Sequence, residues 1–310
     1  MYSEQEISLL HNCSLCPRNC HADRYSNKLG YCNSDASFHI SSICIHKGEE
    51  PVISGIKGIC NIFFPHCNLQ CIYCQNHDIS RNKGIVHADN LSFEEVIRRI
   101  CLILETTENI VGFVSPSHYI PQMMAIIRGL KEAGKNPVFV YNTNGYDNVA
   151  SLRMLEGLID IYLPDFKYMN TALAFEYSQA RDYPEVSANA LKEMYRQKGS
   201  TLIINDEGVA ESGIIVRHLV LPEAADQSID VLRFIAEEIS PRLYISLMSQ
   251  YYPTDLVSKH VILQKTISGS EYNRVVEAFH QFGFYRGWLQ ELESNQTFRP
   301  DFSSDQPFKI

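Results

Sequence analysis

No apolar run in the 310-residue sequence approaches the roughly 18–20 residues of a membrane-spanning helix. The first residues lack the basic start and apolar core of a signal peptide, so we expect no membrane partner. Clusters of basic residues are also scarce, because Arg98-Arg99 is the only pair of adjacent Lys or Arg residues. The net charge of the chain is −9. This balance argues against binding nucleic acid through bulk electrostatics. With 45% hydrophobic and 20% charged residues, the composition is that of a folded globular chain.

Cysteine is absent from the last two hundred residues, although the chain has ten cysteines. Nine of them lie between Cys13 and Cys74, and the tenth is Cys101. A chain of this size gains little from disulfides, so clustered thiols indicate metal ligands and a reducing cytoplasm. We therefore predict that residues 1–57 form a small, loop-rich, cysteine-rich extension that binds metal.

From residue 58 onward, apolar strand patterns alternate with helical patterns. The strand patterns cover residues 61–64, 110–114, 137–141, 159–163, 214–221 and 243–247. Helical stretches follow each of them, and one begins with a Ser92-x-x-Glu95 capping box. Strands that alternate with helices predict a parallel α/β sheet, either an open doubly wound sheet or a barrel. We assign residues 58–292 to this core and 293–310 to an irregular tail.

One cysteine motif follows the first core strand. Cys67, Cys71 and Cys74 have the spacing C-x3-C-x2-C, in the loop that leaves the carboxyl end of that strand. In parallel α/β folds this end of the sheet carries the ligand site. Three thiolates suit a 4Fe–4S cluster with one open iron position. The alternative is a zinc site that takes a fourth ligand from His66 or His77.

The motif, with Tyr73 just before its last cysteine, resembles that of the radical S-adenosylmethionine enzymes. The resemblance covers about residues 44 to 292, and its closest subgroup is the PflX-type proteins related to pyruvate formate-lyase activating enzyme. The segments that carry the resemblance are residues 58–76, 114–119, 141–146, 162–168, 217–222, 246–251 and 287–291.

The resemblance implies a partial (β/α)6 barrel that holds a 4Fe–4S cluster and S-adenosylmethionine. It implies reductive cleavage of S-adenosylmethionine to a 5′-deoxyadenosyl radical, which abstracts hydrogen from a substrate such as a protein or peptide. A reductant such as flavodoxin or ferredoxin would supply the electron. Activating enzymes carry Gly-Gly-Glu where this chain has Ser115-Pro116, and this departure puts a glycyl-radical activase role in doubt.

The resemblance also implies which residues contact S-adenosylmethionine, mostly at strand ends. They are Tyr73, Gln75, Asn76, Ser115, Pro116, Asn142, Asn144, Asp165, Lys167, Arg217, Met248 and Gln250. Gln75 and Asn76 suit a turn or helix cap equally well, and the run from Asn142 to Gly145 suits a turn.

The remaining members of that set also have structural alternatives. Asp165 and Lys167 match an Asp-x-Lys of the activating enzymes, and the alternative is an exposed ion pair. Arg217 lies in an apolar strand, where a charge requires a partner or a ligand. Its neighbour His218 suits a core histidine, and Met248 suits core packing.

A second cysteine group precedes the core. Its spacing predicts a four-thiolate site that holds either zinc or an auxiliary 4Fe–4S cluster, with the ligands Cys13, Cys16, Cys20 and Cys32. The closed ligand shell and the C-x2-C turn slightly favour zinc. Cys44 and Cys60 have no assigned role, and Cys101 suits a small buried hydrophobe. For the whole chain, the alternative to an enzyme is a zinc-binding protein on a barrel scaffold with a structural or interaction role.

Overall fold

The computed structural model describes residues 1–26, 28–296, 299–304 and 306–308. The strands are β1 Phe38–Ile40, β2 Ser42–His46, β3 Ile59–Phe63, β4 Asp89–Leu91, β5 Ile110–Val114, β6 Val138–Thr143, β7 Ile161–Pro164, β8 Ile203–Ile204, β9 Ala210–Leu219, β10 Tyr244–Met248 and β11 Gly287–Leu289. The helices are α1 Glu4–His11, α2 Pro51–Ser54, α3 His77–Ser80, α4 Phe93–Leu104, α5 Ile120–Glu132, α6 Val149–Met154, α7 Thr171–Ser178, α8 Tyr183–Lys198, α9 Ala225–Glu238 and α10 Gly269–Gln281. Short 3-10 turns cover Pro116–His118, Asp255–Val257 and Leu292–Gln296.

One curved sheet dominates the molecule, with the strand order β11-β10-β9-β7-β6-β5-β3-β2. Strands β3 to β11 along this order are parallel, and β2 pairs antiparallel with β3 at one edge. Every residue of β3 and β5 is buried, because helices cover one face and barrel side chains fill the other. Among the described residues, β2 and β11 do not pair with each other, so the barrel stays open on one side.

The six predicted strands correspond to β3, β5, β6, β7, β9 and β10, and a helix follows each one. The prediction did not include β11, because its three residues are too few for a recognisable apolar pattern. It also placed β2 in the N-terminal region, whereas β2 belongs to the main sheet.

Only part of the predicted capping box forms at α4. The Ser92 hydroxyl accepts a hydrogen bond from the Glu95 N–H at 3.1 Å. The Glu95 carboxylate instead binds Arg98 and Arg99 at 2.7 Å each. Two guanidinium groups one turn away attract a carboxylate more strongly than one backbone N–H does.

The N-terminal extension shares the hydrophobic core of the barrel. Leu15, Phe38 and Ile40 pack into the same buried cluster as the helices α4 and α5. Glu6 on α1 is fully buried and forms two hydrogen bonds of 2.6 Å to Arg128 on α5. The extension therefore packs into the core of the barrel.

The C-terminal tail is irregular beyond its 3-10 turn, yet it covers part of the barrel. Phe302 packs on Phe63 with ring centroids 5.3 Å apart, and Phe308 packs on His46 at 4.1 Å. Residues 297, 298, 305, 309 and 310 of the predicted tail lie outside the described residues. No helix within the described ranges combines the length and apolar character that crossing a membrane requires.

Gly112 on β5 lies against Asn61 on β3, and a Cβ atom there would overlap the Asn61 amide oxygen. We expect G112A to lower the free energy of unfolding by about 1–3 kcal/mol, the usual cost of overpacking a core. Urea unfolding measures this change. The control G269A adds a methyl group to the first turn of α10, where only a Leu292 side chain is near, and should be neutral or stabilising. Equal stability of G112A and wild type would contradict the tight contact.

Candidate active site

The loop between β3 and α3 carries Cys67, Cys71 and Cys74 at the carboxyl end of the parallel strands. It borders an open cleft of about 880 Å³, counting the space that opens to solvent. The lining residues come from this loop and from the ends of β5, β6, β7, β9 and β10. They are Cys67, Leu69, Cys71, Tyr73, Cys74, Gln75, Asn76, Ser80, Val114, Ser115, Asn142, Thr143, Asn144, Asp165, Lys167, Arg217, Leu219, Met248 and Gln250.

The cleft brings together the predicted cofactor-binding residues with one exception, Pro116. Ser115 adopts a left-handed backbone conformation (φ 50°, ψ 50°) and donates its N–H to the Asn142 carbonyl at 2.7 Å. This turn directs Pro116 into a buried 3-10 turn and away from the cleft. A non-glycine residue in this conformation is strained and is therefore held by its surroundings.

Arg217 occupies the centre of a buried network beneath the cleft. Its guanidinium donates to Asp165 at 2.9 Å, to Glu49 at 3.2 Å and to Asn142 at 3.0 Å. Asp165 also accepts a bond of 2.6 Å from Lys167, and both side chains are only 16% exposed. The pair is thus not the exposed ion pair of the alternative interpretation.

The charges of this network hold its members ionised. Burial acts to raise the pKa of Asp165, but the charges of Arg217 and Lys167 outweigh burial and lower it. Burial acts to lower the pKa of Lys167, but the charge of Asp165 outweighs burial and raises it. The cleft therefore presents a fixed carboxylate beside a fixed ammonium group.

Glu49 belongs to this network, although no motif or spacing in the sequence indicates a role for it. Its carboxylate, which is 6% exposed, accepts hydrogen bonds from Arg217, Asn142 and Asn61 and lies 3.2 Å from the His46 ring. Burial acts to raise its pKa, but the hydrogen bond from His46 and nearby positive charge lower the pKa to about 2. Glu49 lies outside any strand-end motif, and only the folding of β2 against β3 brings it under the cleft.

Asn144 lies in the cleft and is hydrogen-bonded to the cysteine loop. Its amide donates to the Cys67 sulfur at 3.2 Å and to the Asn68 side chain at 2.8 Å. Its oxygen accepts from the Tyr146 N–H at 2.9 Å. The Asn144 side chain therefore uses its amide hydrogens on two residues of the cysteine loop.

The other predicted contacts lie along the cleft wall. Gln75 donates to the Gln250 carbonyl at 3.3 Å, which links the cysteine loop to the end of β10. Asn76 is the residue before α3 and makes no side-chain capping bond there. Met248 is nearly buried but reaches the cleft, whereas His218 is a core residue whose Nδ1 lies 2.6 Å from the Phe166 carbonyl.

Each of the two histidines considered as a fourth zinc ligand has its Nδ1 against a backbone carbonyl. His66 Nδ1 lies 2.7 Å from the Arg81 carbonyl, and His77 Nδ1 lies 3.1 Å from the Cys74 carbonyl. Within the described part of the chain, no three His, Cys, Asp or Glu side chains converge as the ligands of one metal ion do. The thiolates of a 4Fe–4S cluster stand farther apart because each binds a different iron. The chemistry of the three cysteines therefore fits a cluster.

The second cysteine group surrounds the guanidinium of Arg24, which is 2% exposed. Arg24 Nη2 lies 3.2 Å from the Cys13 sulfur and 3.6 Å from the Cys32 sulfur, and Nη1 donates to the His118 carbonyl at 2.6 Å. Hydrogen bonding with Cys13 lowers the pKa of the Cys20 thiol to about 5. The same hydrogen bond, together with burial, raises the pKa of the Cys13 thiol. The two sulfurs and the carbonyl thus act as acceptors for the donors of a guanidinium that burial removes from water.

The remaining cysteines are packing residues. Cys44 and Cys60 are fully buried in β2 and β3, and Cys101 packs against the main core from α4. All ten cysteines have free thiols.

Comparisons with known proteins extend these observations. An uncharacterized protein of Methanocaldococcus jannaschii is 28% identical over 280 residues, which are 89% of this chain and 76% of that protein. HydG, a maturase of the FeFe hydrogenase, aligns with a TM-score of 0.51 at 14% identity, over 79% of this chain and 56% of HydG.

The chain shares its fold with HydG. That likeness confirms the predicted partial (β/α)6 barrel. SuiB of Streptococcus suis, bound to its precursor peptide SuiA, aligns with a TM-score of 0.49 at 13% identity, over 75% of this chain and 49% of SuiB. The chain spans about half the length of these solved proteins. No family model matches the chain.

The lowered pKa of Glu49 gives a prediction about pH. The unfolded chain binds a proton at Glu49 more readily than the folded chain, so this group's contribution to stability is full above pH 4.5 and is lost toward pH 2. The contribution amounts to about 3 kcal/mol, since one pKa unit corresponds to about 1.4 kcal/mol. We expect the stability difference between wild type and E49Q to shrink as pH falls from about 6 to 3.5.

Urea unfolding of the metal-free chain at several pH values measures this difference. E94Q, at an exposed position of α4, is the matched control and should follow the wild-type pH dependence. A constant difference between wild type and E49Q across the range would contradict the buried, ionised state of Glu49.

Proposed function

We propose that this protein is a radical S-adenosylmethionine enzyme. The observation that carries the proposal is the single cleft, in which Cys67, Cys71 and Cys74 face the predicted cofactor-binding residues. The cleft lies at the carboxyl ends of parallel strands, where such folds bind their ligands. A structural zinc scaffold would leave the buried polar groups of this cleft without a ligand.

The three cysteines would hold a 4Fe–4S cluster and leave one iron without a protein ligand. When bound, the cluster supplies one electron to S-adenosylmethionine, whose sulfur–carbon bond breaks to give a 5′-deoxyadenosyl radical that abstracts hydrogen from the substrate. The protein's task is to bind and orient the cofactor and to exclude side reactions.

The residues of the cleft suit the charges of S-adenosylmethionine. Asp165 can accept hydrogen bonds from an ammonium group or a ribose hydroxyl, and Lys167 can donate to a carboxylate. Arg217 uses its donors on Asp165, Asn142 and Glu49, so it positions these groups. Because the network is preformed, little ordering remains to be done when the cofactor binds.

Within this class, the C-x3-C-x2-C spacing and the Asp165-x-Lys167 match support a relative of the pyruvate formate-lyase activating enzymes. The proposed substrate is a protein or peptide, and the proposed electron donor is a flavodoxin or ferredoxin. Ser115-Pro116 replaces the Gly-Gly-Glu of those enzymes, which argues against a glycyl residue as the site of hydrogen abstraction. The ten free thiols support a reducing cytoplasm as the location.

We also propose that Cys13, Cys16, Cys20 and Cys32 hold a second iron–sulfur cluster. A tetrahedral zinc site draws its sulfurs to about 2.3 Å from one point. No such convergence occurs in the described residues. The buried Arg24 suits a group of net negative charge, which four thiolates on iron and four thiolates on zinc both have. The spacing slightly favours zinc, and we propose the cluster only because the sulfurs do not converge on one point.

The main cluster gives the direct test of function. Changing Cys67, Cys71 or Cys74 singly to Ala should abolish formation of 5′-deoxyadenosine from S-adenosylmethionine under dithionite, because each thiolate binds one iron. Anaerobic reconstitution followed by chromatography measures the product. C101A removes a packing cysteine and should keep wild-type activity. An ordinary rate in any of the three single variants would overturn the proposed function.

Metal analysis tests the second cluster. The reconstituted protein should contain about eight irons and no zinc, and the C16S/C32S double variant about four irons. Residual 5′-deoxyadenosine formation in that variant would show that the main site assembles independently. One zinc and about four irons in the wild type would instead assign a zinc site and overturn the second cluster.

A further inference from the structure

Each of the three loop cysteines accepts one hydrogen bond from a side chain outside the motif. Asn144, just after β6, donates to the Cys67 sulfur at 3.2 Å. Ser178, the last residue of α7, donates to the Cys71 sulfur at 3.0 Å, and Ser80, the last residue of α3, donates to the Cys74 sulfur at 3.3 Å. Three different elements thus supply one donor to each proposed iron ligand.

The donor to Cys71 ends a chain of buried hydroxyl groups. The Tyr73 hydroxyl lies 2.6 Å from the Tyr168 hydroxyl, and the Tyr168 hydroxyl lies 2.8 Å from the Ser178 hydroxyl. Ser178 and Tyr168 are at most 1% exposed, and Tyr73 is 6% exposed. This hydroxyl chain, Tyr73–Tyr168–Ser178, therefore lies in a dry part of the protein beside the cysteine loop.

Binding iron at Cys71 would fix the direction of the hydrogen bonds. An iron-bound thiolate has no proton, so Ser178 must donate to Cys71 and accept from Tyr168. Tyr168 in turn accepts from Tyr73. All three hydroxyl dipoles then point at the same sulfur, and aligned hydrogen bonds strengthen one another in a low-dielectric interior.

We propose that the hydroxyl chain Tyr73–Tyr168–Ser178 raises the reduction potential of the cluster through Cys71. The inference rests on the proposed function, because it requires a cluster at the three cysteines. A hydrogen bond withdraws negative charge from the sulfur and stabilises the cluster after it gains an electron. Ser178 acts as a positioning residue, since it reaches the iron only through Cys71.

Of the three donors, Ser178 has the clearest separate effect. Asn144 also binds Asn68 and Tyr146, so changing it would disturb the loop itself. Ser80 lies on the single-turn helix α3 and is only half-buried. Ser178 is fully buried, and its replacement by alanine removes the hydroxyl without enlarging the side chain.

The test is an anaerobic redox titration of the reconstituted protein, followed by electron paramagnetic resonance. We expect S178A to lower the midpoint potential by about 60 mV, which corresponds to about a tenfold change in the reduction equilibrium for one electron. Y168F should shift the potential in the same direction by less, because it keeps the Ser178 hydroxyl on Cys71. Y73F should shift it by less again, because it keeps both the Ser178 and the Tyr168 hydroxyls. Iron content should stay at the wild-type value in all three.

S187A is the matched control. Ser187 is a buried serine on α8 whose hydroxyl forms no hydrogen bond with any of the three loop cysteines, so its removal should leave the potential unchanged. An S178A potential equal to wild type, with full iron content and continued 5′-deoxyadenosine formation, would overturn the inference while leaving the proposed function intact. Failure of the wild type to assemble a cluster would overturn both.

Discussion

The interior of this open barrel depends on the hydrogen bonds that the Arg217 guanidinium donates to side chains of three other segments. A partial barrel has two unpaired edges, so its interior must be held by side chains as well as by the backbone ladder. Arg217 on β9 joins Asp165 after β7, Asn142 on β6 and Glu49 after β2. A planar fork with several donors suits this task, because it fixes three partners in one geometry. Removing Asp165 or Glu49 would leave the guanidinium with one carboxylate partner instead of two.

The N-terminal extension is tied to the cleft through backbone contacts as well as through the shared core. Arg18 donates to the carbonyl of Asn68, the residue that follows Cys67, at 2.9 Å. Arg24 reaches the His118 carbonyl, in the turn that follows Ser115. Each arginine thus joins the second cysteine group to an edge of the candidate active site.

Most residues of the cleft could be predicted from the sequence, because parallel strands present their carboxyl ends at one edge of the sheet. Residues that end β6, β7, β9 and β10 could be assigned to one site from strand patterns and the resemblance. Pro116 lies outside the cleft lining, since the left-handed backbone at Ser115 directs the chain into a buried 3-10 turn. Asn144 lies in the cleft, where its amide donates to the Cys67 sulfur.

Local periodicity and spacing were enough to predict the six core strands, the helices after them and the cysteine loop at the end of the first strand, because these are local patterns. The positions of Glu49 beneath Arg217, of Arg24 between Cys13 and Cys32, and of Ser178 against Cys71 follow only from the folded chain. The partners in each of these contacts come from segments that do not share a local motif. Glu49 and Arg217 are separated by 168 residues and Ser178 and Cys71 by 107, and nothing in a local pattern specifies which buried polar groups meet across such distances.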